Sequence, residues 1–491
     1  MQGKEKIKNQ AGSGAGKYRR QSRSDFLLEK LRSGESLGLR SELELTVLLS
    51  IPAILAQLST VVMEYIDTSM VGQLGVDAAS SVGLVSSTTW LFGSLCSAAG
   101  IGFSVQVAQE IGAGRERHAR DIVKMSLVFS LIFNIILTAV GVMIAGDLPR
   151  FLGADESIAP GASVYFLVVM LFFPIRGILF LSGGLLQSSG NMKAPGLLNI
   201  LDCVLDVVFN LFLIFPTRAV TLPITGVSVT LPGAGLGIVG AALGTGLAET
   251  VTTLLLMFEL LYRSKMLRLR RGEGFHMEMA VITKAVRISV PVALQSAALS
   301  SAQVVSTKIV SPLGHVAIAS HSFSITAEGL CYMPGYGISA AATAMVGQSY
   351  GAGRRITAKR LAWTATLLGM GMMALSGIFM YITAPQLIAL LSPDAEIRTL
   401  SVIVLRIEAI AEPMFGASIV ATGAMRGTGD TLIPTILNLI SMWGIRLPMA
   451  AFLAPRWGLK GVWTAMCMEL IVRGILFLIR LRGRGWLRDR K

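Results

Sequence analysis

The chain has 491 residues, 53% hydrophobic and 15% charged, with a formal net charge of +14. A typical soluble domain is about 25% charged, so these proportions exclude an ordinary water-soluble fold, and the long apolar blocks mark a polytopic membrane protein. The basic excess would also suit a nucleic-acid binder, but its distribution along the chain orients a membrane protein and requires no nucleic acid.

In chain order, residues 1–40 are polar and basic, with Gly and Ser, and are expected to form a flexible tail. No apolar core follows within the first ~30 residues, so no signal peptide is expected. Twelve apolar spans come next, near 43–71, 78–110, 119–145, 157–184, 194–216, 237–261, 281–310, 316–348, 358–383, 396–424, 432–453 and 459–480. Barrel strands are excluded because the blocks are too long and continuous. The expected fold is an all-α membrane protein of two six-helix bundles, 41–261 and 281–480, joined by a polar linker at 262–280. A basic tail follows at 481–491, and the segment 217–236 is expected to be an outer loop or hairpin.

All but ten of the 43 Lys and Arg residues lie in the two tails and in the segments after spans 2, 4, 6, 8 and 10. The opposite loops carry only Arg150, Arg218, Arg398, Arg456 and Lys460. The positive-inside rule then places both termini in the cytoplasm and the chain in the cytoplasmic membrane, its basic face against anionic lipid. The halves also repeat. SIPAILAQ from Ser50 aligns with SVPVALQS from Ser289, QEIGAGR (109–115) with QSYGAGR (348–354), and SGNMKAPGLLN (189–199) with TGDTLIPTILN (428–438), all 239 residues apart without a gap. An even number of spans per unit makes the repeats parallel, related by an axis along the membrane normal, and such a pair enclosing a cleft suits alternating access.

The span LDCVLDVVFN (201–210) carries Asp202, Asp206 and Asn210 at i, i+4 and i+8, one stripe of a helix. An acid at mid-membrane costs about 2.5–3.5 kcal/mol and is functional by default. At 1.5 Å per residue Asp206 lies ~20 Å from Lys193, past the midplane, and Thr245 lies ~12 Å inward from Gly237. With Asp67 near the outer end of span 1, these residues can meet in the outer half of the first bundle. Carboxylates and a hydroxyl are hard oxygen ligands suited to Na⁺, and clustered acids also suit protons.

These features together resemble the multidrug and toxic compound extrusion (MATE) family. The resemblance is carried by YIDTSMVGQLG, the two GAGR turns, SSGNMKAP with MRGTGDTLIP, and the Asp202–Asp206 span followed by GIVGAALGT, and it covers nearly everything from 44 to 480. It implies export of cationic or amphipathic small molecules in exchange for Na⁺ or H⁺, with no other cofactor. It also implies a cation site at Asp67, Asp206 and Thr245, with Asp202 where Asn is often found. Glu64, Asn210, Glu249, Glu408 and Glu412 are secondary candidates. One branch of the family carries acids in spans 7 and 10, where this chain has Ala297 and Phe415, which points to the branch relying on first-bundle acids.

Counting charges in the spans supports that placement. Glu64, Asp67, Asp202, Asp206 and Glu249 face one cation, Arg176, expected to snorkel to the cytoplasmic edge. Glu328, Glu408, Glu412 and Glu469 are matched in number by Lys308, Arg406, Arg446 and Arg473, which predicts internal pairing. The four cysteines sit in different blocks and read as buried small hydrophobes. The GAGR turns lack the Lys-Ser/Thr of a phosphate loop, and Pro52, Pro174, Pro291, Pro334 and Pro413 are expected to kink their spans. No HExxH or GxSxG pattern supports an enzyme. The alternative is a lipid-linked glycan flippase, which requires unpaired Lys308, Arg406 or Arg446 in the cleft; a non-transporting scaffold would not need buried acids. The chain is expected to act as a monomer.

Overall fold

The computed structural model describes residues 22–33, 35, 37–221, 228–270, 272–274, 277–392 and 394–488, with side chains not described within 218–231. The expected tail at 1–21, the hairpin tip at 222–227, His276 and the last three residues lie outside the described residues.

Twelve spans follow one another, close to the expected bounds. Among the described residues, nine are single helices long and apolar enough to cross a membrane: Leu39–Gly72, Val76–Gly112, Glu116–Ile144, Lys193–Leu213, Gly237–Arg263, Met279–Leu313, Arg355–Leu391, Leu432–Trp457 and Leu459–Arg482. Span 4 is broken, Ala159–Leu171 and Phe173–Ser188 meeting at 46°. His315–Gly351 is span 8, and span 10 is broken like span 4, as Ala395–Ala409 and Glu412–Gly427. The breaks fall at the repeat-equivalent Pro174 and Pro413, each at the start of the second half-helix, where a residue without N–H cannot continue the ladder. Pro52, Pro291 and Pro334 lie inside continuous helices instead. The repeat is not exact, since span 11 is a π-helix over Ile440–Arg446 where its counterpart in span 5 is a regular α-helix. The insertion forms an antiparallel hairpin, Pro216–Thr221 with Ser228–Ala234.

Spans 2 and 8 form the centre of the molecule. Almost every residue of 98–112 and 337–349 is buried, whereas 17% of the apolar window of span 3 is buried, leaving the rest for lipid. The two central helices cross at the end bearing the GAGR turns, here the basic end. A Cβ at Gly112 would run into the backbone of Gln348, and one at Gly351 into the backbone of Gln109. These two contacts are the same contact made twice, 239 residues apart. Gln109 Nε2 donates to the Gly427 carbonyl at 3.1 Å and Gln348 Nε2 donates to the Ser188 carbonyl at 2.7 Å, again equivalent positions. Small residues permit such close backbone approach in a membrane, where packing replaces the hydrophobic effect. Gly114 (φ 74°) and Gly353 (φ 75°) then turn each chain out of its helix, a conformation that costs other residues about 1–2 kcal/mol.

Further bonds close the same end: Gln106 Nε2 to the Val281 carbonyl (3.0 Å), the Gly102 amide to Ser289 Oγ (3.1 Å) and Lys284 Nζ to Gln109 Oε1 (3.1 Å). Toward the opposite end the packing loosens; over 54–69 of span 1 only Val61 is buried, and Tyr65 donates across to the Thr326 carbonyl at 3.0 Å.

One expectation needs correction, and two segments are more ordered than their composition announces. Residues 23–33 are not a flexible tail but a helix whose Leu27, Leu28 and Leu31 are 1–3% exposed against the basic end. The end of the chain also packs: Trp486 is 1% exposed, its indole N–H donates to the Leu481 carbonyl, and its carbonyl accepts from Thr428. The linker is tied down as well. Arg120 donates to Glu273 at 2.6 Å (Nη2) and 3.0 Å (Nε), which holds the Glu273 carboxyl below its ordinary value.

Candidate ion site

Asn210 is the joint of the site. Its Nδ2 donates to Asp67 Oδ1 at 2.9 Å and to Asp206 Oδ2 at 3.1 Å, so one amide bridges a carboxylate of span 1 and a carboxylate of span 5. The i, i+4 spacing aims Asp206 and Asn210 the same way, and burial leaves each 1% exposed. The Asp67 and Asp206 carboxyl groups also face each other, and Thr245 of span 6 lies within hydrogen-bonding reach of Asp206. Among the described residues, Asp206 Oδ1 and Asn210 Oδ1 have no hydrogen-bond partner. The fit of span 6 depends on Gly244, since a Cβ there would strike Asn210 Oδ1. Glu64 lies half-buried one turn from Asp67 on the same span.

Asp202 belongs to a second layer. One turn toward the basic end, it neighbours Glu249 and Thr252 and is 8% exposed, with Oδ1 unpartnered. Glu249 is not an uncompensated acid. Arg176 reaches its Oε1 from span 4 with Nε at 2.8 Å and Nη2 at 2.7 Å. Arg176 therefore does not snorkel; the break in span 4 points its side chain inward, over the Phe173 ring at 5.4 Å. The pair neutralises one acid and leaves Asp67, Asp202 and Asp206 without a salt bridge among the described residues.

The second bundle lacks this constellation. At the repeat-equivalent positions, Asp67 is replaced by Ser306, Asp202 by Ser441, Asp206 by Ile445 and Asn210 by Met449. Its own acids are not paired as their number suggested. Glu469 is held by Arg473 (3.2 Å) and by the Ser441 hydroxyl. Glu408 and Glu412 are 0% and 1% exposed, and among the described residues none of their four carboxylate oxygens has a hydrogen-bond donor; Glu328 faces Glu408. The matching cations point elsewhere. Arg406 donates to the Tyr381 carbonyl at 3.2 Å, Arg446 donates to Met466 Sδ, and Lys308 is exposed. Equal counts did not produce pairs because the side chains sit on different faces. All four cysteines are free and buried. Among the described residues, no three His, Cys, Asp or Glu side chains converge in a way that could hold a metal by themselves, so any cation at Asp67 and Asp206 would also need the oxygens of Asn210 and Thr245.

A duplicated six-span unit, closed at one end and carrying unpaired acids inside one bundle, is the architecture of a multi-pass membrane transporter. The MatE family model matches this chain twice, over 52–212 and 291–452, one match in each repeat. The chain belongs to the MATE family of transporters. It is 27% identical to the "Probable multidrug resistance protein NorM" of Thermotoga maritima, over 89% of this chain and 92% of that protein. It is 26% identical to the protein of the same description in Xanthomonas axonopodis pv. citri, over 91% and 95%. Among solved structures, a MOP superfamily transporter from Pyrococcus furiosus superposes with a TM-score of 0.82 at 21% identity, covering 94% of this chain and 98% of that one. A variant of the Vibrio cholerae MATE transporter VcmN does so with a TM-score of 0.82 at 18% identity, covering 91% and 99%.

Proposed function

We propose that this protein exports cationic or amphipathic small molecules across the cytoplasmic membrane in exchange for Na⁺ or H⁺, by alternating access, with the basic end and both termini in the cytoplasm. The observation that carries the reading is the Asp67–Asn210–Asp206 bridge. Two carboxylates facing each other in a low-dielectric span repel strongly unless a cation or a proton lies between them. Binding of either ion removes that repulsion, and a cationic cargo competes for the same charge, which is antiport stated as electrostatics. Thr245 and Asn210 Oδ1 would complete an oxygen shell for Na⁺. Asp202, one turn away, would relay or tune the charge. One chain holds both repeats, so a monomer suffices. The descriptions of the relatives as multidrug resistance proteins support the cargo class. Of the three cations the flippase reading requires, Arg406 and Arg446 are engaged with Tyr381 and Met466, which weighs against it, and Lys308 is exposed.

The test is cationic-dye flux in proteoliposomes under an imposed Na⁺ gradient, then a proton gradient, for wild type and Asp206→Asn. Gradient-driven flux lost in the variant supports the assignment and names the ion. Flux indifferent to Asp206→Asn would make the bridge structural, and no wild-type flux under either gradient would refute the cargo class.

A further inference from the structure

The seal at the basic end is nearly symmetric, and the exception is informative. Each central glutamine donates to a carbonyl of the other bundle, and each also accepts a basic side chain on its Oε1. For Gln109 that donor is Lys284, at 3.1 Å, part of the long span-7 helix Met279–Val310. For Gln348 the donor is Arg32 Nε, also at 3.1 Å, and Arg32 lies on the separate helix Arg23–Ser33. One half of the seal is therefore built into a membrane span and the other half is carried on a short amphipathic helix at the surface.

That helix lies across the seam between the bundles. Toward the first bundle, Arg32 Nη2 donates to the Ser189 carbonyl at 2.9 Å, and Leu28 packs on Gly190 so closely that a Cβ there would strike it. Toward the second bundle, besides Gln348, the Leu31 carbonyl accepts from Arg354 Nη1 at 3.0 Å. Asp25 pairs with Lys265 of the linker at 2.6 Å. Leu27, Leu28 and Leu31 share one buried cluster with Met192 of the first bundle and Ile338 and Met345 of the second. Beside Arg32 the seam is incompletely filled: a cavity of about 570 Å³ between the two GAGR turns is lined by Arg32, Gly112, Gly114, Met266, Gly353 and Arg354.

We propose that residues 23–33 are a latch that holds the two bundles together at the basic end and must leave the seam before that end opens. The proposal rests on the alternating-access reading above. The helix contacts both bundles at once, so no separation of Ser189 from Gln348 is compatible with its docked position. The ties described for it, to Ser189, Gln348, Arg354 and Lys265, each involve a side chain and no shared backbone ladder, so it can detach without unfolding a span. Its detached form exposes Phe26, Leu27, Leu28 and Leu31 beside Arg23, Lys30 and Arg32, a pattern that an interfacial membrane surface accommodates.

The test places spin labels at two exposed, repeat-equivalent sites flanking the seam, Arg117→Cys and Ile356→Cys, in the full chain with its four native cysteines replaced, reconstituted in nanodiscs. Pulsed-EPR distances are compared for the parent, Arg32→Ala, and the undocking variant Leu27→Ser/Leu28→Ser, with limited proteolysis of residues 23–33 reporting whether the helix has left and thermal melting reporting the fold. The expected result is a longer-distance population that rises at least roughly tenfold in Arg32→Ala, which removes two charge-assisted hydrogen bonds, one to each bundle, and further in the undocked variant, with melting little changed. A protease-sensitive helix with an unchanged distance distribution would overturn the latch. A longer population that appears with dye cargo in the parent and equally in all three forms would overturn the latch while leaving alternating access intact. Absence of that population from every form, with or without cargo, would overturn both.

Discussion

Gly244→Ala tests the site without touching a polar residue. Gly244 is buried in span 6 with Asn210 Oδ1 in the space a methyl group would occupy. The added carbon forces either a parting of spans 5 and 6 or a rotation of the Asn210 amide. Rotation breaks the 2.9 Å bond to Asp67 and the 3.1 Å bond to Asp206 together. Overpacking a well-filled interior costs about 1–3 kcal/mol, and each 1.4 kcal/mol is tenfold, so the affinity for the coupling ion should fall roughly 5- to 150-fold. The assay is the thermal-shift midpoint titrated with Na⁺ or with pH, followed by gradient-driven dye flux. The double variant Gly244→Ala/Asn210→Ala removes the clash and should recover the melting temperature but not the coupling, which separates packing from ion binding. A single variant with wild-type ion midpoint and wild-type flux would show that the Asn210 bridge does not form the ion site.

Further expectations follow from other contacts. Glu249→Gln leaves the part-buried Arg176 guanidinium without its carboxylate, which should cost about 2 kcal/mol, less than breaking a fully buried pair, and appear as a lower melting temperature; replacing both by Met should restore most of it. Gly351→Val should fail to seat span 8 against Gln109, so that a water-soluble maleimide labels a cysteine placed at Ser349, buried at present, much faster than in the parent. The Arg120–Glu273 tie has a definite pH sense. The Glu273 carboxyl is held below its ordinary value by Arg120, so its stabilisation of the linker is present above about pH 4.3 and is lost as pH falls through the lowered value. Hydrogen-exchange protection factors of linker residues 262–270, taken against the intrinsic rate at each pH, should therefore fall on acidification into that range, and Glu273→Gln should show the lower protection already at pH 7. A linker with equal exchange in both forms would show that Glu273 does not hold it.

The spans and the repeat were legible because both are written in composition and spacing. Twenty apolar residues cross a bilayer whatever their neighbours, and a 239-residue offset without gaps needs no three-dimensional knowledge. The Asp202–Asp206–Asn210 stripe was legible for the same reason, since helical period alone sets which side chains share a face. What remained hidden depends on partners remote in sequence. Arg176 and Glu249 lie 73 residues apart, and charge counts cannot say which of several acids an arginine will reach. The same counting paired Glu408 and Glu412 with cations that point away from them. RSDFLLEKLRS is three turns long between polar stretches and looks like tail; its burial comes from a seam made by residues 188–192 and 338–354. In QEIGAGR the turn glycine Gly114 was recognisable, but its neighbour Gly112 matters through a contact with the other half that no local pattern announces.

The crossing of Gln109 with Gly351 and of Gln348 with Gly112 has a consequence beyond this chain's present form. A surface that meets an equivalent copy of itself, residue for residue, is the isologous interface of a twofold homodimer. A half-length ancestor with this sequence around its QxxG would have needed no new surface to associate in parallel, and fusion of two such genes would have changed the connectivity without changing the contact. Once fused, the two copies were free to diverge wherever they do not touch each other, which is where Asp67, Asp206 and Asn210 became Ser306, Ile445 and Met449 or the reverse. At Gln109, Gly112, Gln348 and Gly351 that freedom is absent, because each of these residues packs against the partner of its own counterpart.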